Sequence, residues 1–294
     1  TTSFETVINT LEKYIQGGNV SYDIQYGDER YEVKQASEIS SVRTGAKAKD
    51  LAAKIFLNIK DEITDLYKKY KERVGEIVTG EVYQVWKKET LVLDDEGNEL
   101  ILPKAEQIPG DFFKKGDSVR AVVLKVDMRN NSPVIILSRT SPMFLEKLFE
   151  MEVPEIAEEV VEIRLCVREP GERAKIAVYS NDREVDPVGA CVGMKGIRVQ
   201  NVVQELRGEK IDIIPWNEDV TVFVRSALAP AEISMVRVIP ATNTLEIVVE
   251  DDQLSLAIGR KGQNVRLASQ ITGWKVDILS KTKLDQRTKN AISN

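Results

Sequence analysis

The chain has no histidine in its 294 residues. That removes the commonest general base and the commonest metal ligand. Cysteine appears twice, as Cys166 and Cys191. A disulfide framework is excluded by that count, and a zinc site lacks its usual donors. Both cysteines lie inside apolar runs, so reduced, buried thiols are expected. Aromatic residues make up 6% of the chain, and no apolar run reaches the length of a membrane span. No signal-peptide pattern is read from Thr1 onward. The expectation is a cytoplasmic, non-enzymatic protein with no metal, no cofactor and no membrane partner. An excess of positive charge is also missing. Lys and Arg number 41 against 47 Asp and Glu, a net charge of −6, which argues against indiscriminate coating of nucleic acid.

What the chain does contain is one pattern written twice. Val192-Gly193-Met194-Lys195-Gly196-Ile197-Arg198-Val199 is matched 66 residues later by Ile258-Gly259-Arg260-Lys261-Gly262-Gln263-Asn264-Val265. Downstream, Gly208-Glu209-Lys210-Ile211-Asp212-Ile213-Ile214 is matched 65 residues later by Gly273-Trp274-Lys275-Val276-Asp277-Ile278-Leu279. Each copy reads as apolar helix, Gly-x-x-Gly, amphipathic helix, Gly, strand. The pattern resembles the KH module, which clamps about four nucleotides of single-stranded nucleic acid. Gly193 and Gly196, like Gly259 and Gly262, let the backbone turn sharply and approach a sugar-phosphate chain. The helix that follows offers free N–H groups and a dipole that favours an anion. Lys195 and Arg198 flank the first loop, and Arg260, Lys261 and Arg266 the second, where phosphate would meet them. Met194 stands where a charge would help, so the first loop is expected to grip phosphate less strongly. Lys210, Lys275, Asp212 and Asp277 also repeat and read as polar residues on the outer side of a sheet.

Charge is placed locally. Residues 253–281 hold Arg260, Lys261, Arg266, Lys275 and Lys281 against Asp277 alone, whereas Glu155–Glu162 and Glu250–Asp252 are acidic runs that restrict where phosphate lies. The acidic pairs Asp94-Asp95 and Asp251-Asp252 admit an Mg²⁺ reading, but turn solvation and helix capping suit adjacent carboxylates better.

The remainder of the chain reads as three further kinds of segment. Residues 1–73 predict a small α/β domain. Thr2-Ser3-Phe4-Glu5 is a capping box before a helix ending at Gly17-Gly18-Asn19. Residues 20–26 and 30–33 form a hairpin around Gly27-Asp28. Residues 46–74 form one long helix of about 40 Å with an apolar stripe from Leu51 to Tyr70. Its polar face is either solvated or a docking surface. Residues 74–140 change to five short strands at 77–85, 90–93, 99–102, 118–127 and 134–138, an OB-type barrel. Its Gly80-x-Val82, Lys115-Gly116-Asp117 and Ile136-Leu137-Ser138-Arg139 resemble the S1 RNA-binding domain. Tyr83, Trp86, Lys87 and Lys88 offer a stacking-plus-charge surface, although the two aromatics serve equally as packing residues. Residues 141–216 and 217–294 each follow the order αββααβ, the bacterial (type II) KH arrangement. The linkers, Thr140-Ser141 and Pro215-Trp216, are too short for free tumbling, so a rigid S1–KH–KH body is expected.

The order α/β domain, S1, KH, KH resembles the NusA family of bacterial transcription elongation, termination and antitermination factors. Glu152-Val153-Pro154-Glu155-Ile156, Arg173-Ala174-Lys175-Ile176-Ala177-Val178, Asp186-Pro187-Val188-Gly189-Ala190-Cys191-Val192-Gly193 and Gly262-Gln263-Asn264-Val265-Arg266-Leu267-Ala268-Ser269 all look like signatures of that family. The likeness covers residues 74–279; over Thr1–Arg73 the domain reads as shortened or divergent. The resemblance implies a monomer that docks through its N-terminal domain on RNA polymerase, at the β-subunit flap near the RNA exit channel. It implies a grip on nascent single-stranded RNA and work alongside other Nus factors. It carries the RNA-binding role onto Gly193, Lys195, Gly196 and Arg198, and onto Gly259, Arg260, Lys261, Gly262, Asn264 and Arg266. Two other classes of function stay open: a free-standing S1/KH protein of ribosome assembly or RNA turnover, and a nuclease with appended S1 and KH modules.

Overall fold

The computed structural model describes residues 22–26, 29–33, 63–129 and 132–292. The chain divides into two compact units, residues 1–72 with 128–133, and residues 73–127 with 134–294. In the first, strands β1 (Tyr22–Tyr26) and β2 (Glu29–Val33) pair antiparallel, Tyr22 opposite Val33, and residues 63–72 are helical. The N-terminal helix and most of the long helix expected from sequence lie outside the described residues, as do the hairpin tip and residues 130–131.

The second unit opens with a closed five-stranded barrel. Strands β3 (Ile77–Val85), β4 (Glu89–Leu93), β5 (Glu99–Pro103), β6 (Ser118–Arg129) and β7 (Ser132–Ser138) close in the order β3-β4-β5-β7-β6. Val82, Leu91, Leu100, Leu102, Val119, Ala121 and Leu137 are buried, the inward positions of short, Val- and Ile-rich strands. Gly80 is needed for close approach, since a Cβ there would fall 2.5 Å from the Leu93 carbonyl oxygen.

Two copies of one α+β unit follow. In the first, α1 (Pro142–Glu152) starts on Ser141, whose side chain accepts from the Met143 N–H, with Pro142 at the first position. It buries Phe144, Leu145, Leu148 and Phe149. A short helix α2 (Pro154–Ala157), not read from sequence, precedes β8 (Val161–Glu169) and β9 (Arg173–Ser180). Then come α3 (Pro187–Val192), α4 (Ile197–Glu205) and β10 (Lys210–Pro215). The central β9 is antiparallel to β8 and parallel to β10. The second copy runs α5 (Val220–Ala227), β11 (Met235–Ile239), β12 (Thr244–Val249), α6 (Leu254–Ile258), α7 (Gln263–Thr272) and β13 (Lys275–Ser280). Its sheet repeats the arrangement, with β12 antiparallel to β11 and parallel to β13. A final helix α8 (Lys281–Ile292) continues from β13 and has no counterpart in the first copy; sequence reading left it out.

The short linkers are clamped by buried charge. Arg139, 2% exposed, donates from Nε to Asp111 at 2.8 Å, from Nη1 to Glu205 at 2.8 Å and from Nη2 to the Glu205 carbonyl at 2.9 Å. Barrel loop, linker and α4 thus meet on one guanidinium. Arg168 donates from Nη1 to the carbonyls of Arg139 and Ser141 at 3.0 and 2.9 Å, and pairs two-pronged with buried Glu209 at 3.0 and 2.7 Å. Barrel residues Ile108 and Val122 belong to the same apolar cluster as Phe144 and Ile176, so barrel and first copy share a core. At the second junction, Ala177 on the outer face of the first sheet joins the second copy's core, with Val167 and Trp216 packed against it. The Trp216 ring meets Tyr179 edge-on at 5.7 Å, and Arg164 sits over both rings at 5.5 and 5.0 Å.

Cys191 is buried and Cys166 half-buried, both free. Burial pushes the Cys191 thiol up to about 12 and raises that of Cys166, which suits packing residues rather than nucleophiles. The repeated Asp residues part company. Parallel pairing sets Asp212 beside Lys175 but Asp277 beside Glu246. Asp212 therefore accepts from fully buried Lys175 at 2.6 Å and from Arg173 at 2.9 Å, a structural ion-pair cluster and not a bare surface polar residue.

Candidate nucleic-acid interface

The two Gly-x-x-Gly turns have one backbone. Gly193 and Gly259 have φ/ψ of 74/173° and 75/170°. Lys195 and Lys261 have 54/23° and 52/27°. Gly196 and Gly262 have 79/13° and 72/15°. The first glycine of each turn is also needed for space. A Cβ on Gly193 would fall 2.6 Å from Arg198 Cγ, and one on Gly259 2.7 Å from Asn264 Cβ. The second faces outward: a Cβ on Gly196 meets nothing within 4 Å, and one on Gly262 has its nearest atom at 3.9 Å. Both lysines hold the left-handed region, which costs a non-glycine residue on the order of 1 kcal/mol or more. The same strain at the same place in both copies marks a conformation worth keeping. Neither α4 nor α7 has a side-chain cap at its start; instead the Gly196 and Ile197 amides donate to the Gly193 and Met194 carbonyls, and those of Gly262 and Gln263 to the Gly259 and Arg260 carbonyls.

The loops differ in what they present. Lys195, Arg260 and Lys261 are exposed, and among the described residues their side chains form no ion pair or hydrogen bond. Met194 is 88% and Ile197 62% exposed. The first loop therefore offers an apolar pair around one cation, and the second offers two adjacent cations followed by Gln263.

Three residues expected at the phosphate are engaged inside the protein. Arg198 donates from Nη1 to the Ala190 carbonyl at 2.7 Å and pairs with Glu155 at 2.9 Å. Asn264, at the equivalent position, is buried and donates from Nδ2 to the carbonyls of Leu228, Leu256 and Ala257 at 3.0, 3.3 and 3.3 Å. Each ties down the C-terminal end of the helix before its loop, so both side chains are already engaged within the protein. Arg266 donates to Glu169 at 2.5 Å and to the Lys261 carbonyl at 3.2 Å. Gln263 donates to Glu169 at 2.8 Å and Glu172 at 3.0 Å. The hydrogen bond from Arg266 holds the Glu169 carboxyl below its usual range. The turn between β8 and β9 thus docks on the flank of the second loop and places two carboxylates there. Spacing alone gives no sign of this contact, because its partners are over 90 residues apart.

On the barrel, Trp86, Lys87 and Lys88 are exposed at the β3–β4 turn, closed by the Trp86 N–H donating to the Glu89 carbonyl at 2.8 Å. Tyr83 is half-buried, and its hydroxyl donates to Glu99. That bond raises the phenol to about 12, so the hydroxyl is already occupied. The acidic pairs have local partners: Asp94 accepts from the Glu96 and Asn98 N–H groups at 3.0 and 2.7 Å, and Asp251 from the Thr282 hydroxyl at 2.5 Å. Among the described residues no group of three or more His, Cys, Asp or Glu is placed to hold a metal, and no helix is long and apolar enough to cross a membrane.

A closed five-stranded barrel followed by two αββααβ units with matching Gly-x-x-Gly turns defines an S1–KH–KH protein. The S1 RNA binding domain family matches residues 71–138. The NusA-like first KH domain family matches residues 139–216, and the NusA-like second KH domain family residues 220–286. The transcription termination/antitermination protein NusA of Bacillus subtilis is 45% identical over 218 residues, covering 74% of this chain and 58% of the relative. The protein of the same name from Halalkalibacterium halodurans is 44% identical over 221 residues, 75% of this chain and 58% of the relative. That from Rickettsia prowazekii is 38% identical over 274 residues, 92% of this chain and 54% of the relative. Over residues 71–286 the chain belongs to the NusA family. It spans somewhat more than half the length of these relatives.

Proposed function

We propose that this protein is an RNA-binding transcription factor that holds nascent single-stranded RNA along its S1–KH–KH body while residues 1–73 dock on RNA polymerase. The observation that carries the reading is the pair of turns with one strained backbone, each opening a helix and each bearing exposed cations. Lys195, Arg260 and Lys261 are the phosphate ligands. Met194 and Ile197 give the first loop apolar contact with ribose or base, and Trp86, Lys87 and Lys88 extend the track onto the barrel. Arg266 is shared between Glu169 and the strand. The clamped linkers support fixed spacing between contacts, so modest single-module affinities combine.

The protein itself makes and breaks no bond. Its place is the cytoplasm, as a monomer at the β-subunit flap near the RNA exit channel. There it lengthens hairpin-stabilised pauses, modulates termination and, with other Nus factors, supports antitermination. The names of the relatives support this reading over a free-standing S1/KH protein or a nuclease. A pause assay with purified bacterial RNA polymerase tests it. The full chain is expected to lengthen a hairpin pause, and a version beginning at Val74 to lose that effect while still binding RNA. No change in pausing by the full chain would sink the polymerase reading.

A further inference from the structure

We infer that Phe112, with Lys114 and Lys115 beside it, is a stacking site for a base of single-stranded RNA at the seam between the barrel and the first KH module. The inference rests on the RNA-holding reading above and adds a contact outside both loops.

Phe112 is 74% exposed, while the adjacent Phe113 is buried against the barrel. The exposed ring is rigidly mounted. On one side Asp111 is fully buried, accepts from Arg139 at 2.8 Å and Arg207 at 3.1 Å, and closes a turn through its N–H to the Ile108 carbonyl at 2.8 Å. On the other side the Lys114 N–H donates to Asp117 at 2.7 Å. An aromatic ring held out on a fixed backbone loses little entropy when a base stacks on it. Lys114 Nζ lies 5.6 Å from the ring centroid, and both Lys114 and Lys115 are exposed. Ring plus cations is the combination that serves a base and its phosphate. A protein partner fits less well, because a single ring beside lysines lacks the contiguous apolar area of an interface core, where lysine is depleted.

The position also suits a strand that leaves the first loop. Arg207, which holds Asp111, follows the C-terminal end of α4, and the first loop sits at that helix's N-terminal end. The rise from Ile197 to Arg207 is on the order of 15 Å, a span a few nucleotides cover. The barrel carries the same composition at another exposed turn, Trp86-Lys87-Lys88.

The test is binding of a mixed-sequence single-stranded RNA to the full chain, followed by fluorescence anisotropy at several salt concentrations. Phe112→Ala is expected to weaken binding roughly 5- to 100-fold and to leave the salt dependence unchanged, because stacking releases no counterions. Lys114→Gln with Lys115→Gln should lower the salt slope by about 0.7 per lost phosphate contact. Ultraviolet cross-linking should join RNA to Phe112. If Phe112→Ala binds like the unchanged chain while Lys261→Asp weakens binding, the RNA reading stands and the Phe112 site is overturned. If the unchanged chain binds no RNA, the RNA reading itself fails. If Phe112→Ala keeps RNA binding but loses the effect on polymerase pausing, the ring serves a protein contact and the inference is wrong.

Discussion

Replacing Lys261 and Gly262 together with Asp is expected to weaken single-stranded RNA binding tenfold or more, about 1.4 kcal/mol per decade, in a chain that still folds. The change puts two carboxylates where phosphate would sit, beside the Glu169 and Glu172 that already flank the loop. Both positions tolerate it structurally. Lys261 is exposed, and Asp accepts the left-handed region better than most residues. Gly262 faces open space, although its φ of +72° adds strain of about 1 kcal/mol for any side chain. Lys261→Asp alone avoids that strain and should retain most of the loss. A circular-dichroism melt checks the fold. Full affinity in a folded variant would take the second loop out of the RNA path.

The largest stability effect is expected at the other end of the unit. Asp111→Ala removes the principal acceptor of a guanidinium that is almost wholly buried between the Phe113 and Phe144 rings, 5.8 and 5.1 Å from their centroids. Glu205 remains, so Arg139 is not orphaned, but its two-pronged pair is lost along with the anchor for Arg207. Breaking a buried pair by deleting one partner costs roughly 3–5 kcal/mol. Hydrogen exchange should show early opening of residues 139–149 and of the 108–113 loop, and the thermal transition should fall by several degrees. A change within about 0.5 kcal/mol would mean that the shared apolar core alone holds barrel and KH module together.

Periodicity and turn chemistry made the barrel and both KH units legible. The strands fall at the Val- and Ile-rich runs, and Gly97, Gly116 and Gly273 stand at the expected breaks with positive φ. The loops were legible because a repeat 66 residues apart doubles a weak motif. Side-chain direction was not. Arg198 and Asn264 stand one residue past the last glycine's neighbour, where helix geometry turns them inward beneath the loop, and a count of nearby cations cannot see that. The inter-module contacts of Arg139 with Glu205, Arg168 with the Arg139 carbonyl and Arg266 with Glu169 join residues 29 to 97 apart. No local pattern carries such pairs. Helix α8 escaped because its sequence, Lys-Thr-Lys-Leu-Asp-Gln-Arg-Thr-Lys-Asn-Ala-Ile, has almost no apolar stripe. Phe112 escaped because a Phe-Phe pair reads as core until the backbone turns one ring in and the other out.

The most direct measurement of the central claim is amide chemical-shift mapping of the full chain titrated with single-stranded RNA. The account predicts the largest shifts at residues 193–197 and 259–263, with smaller ones at 86–88 and 112–115. Shifts confined to the barrel, with both Gly-x-x-Gly turns unmoved at saturation, would contradict it.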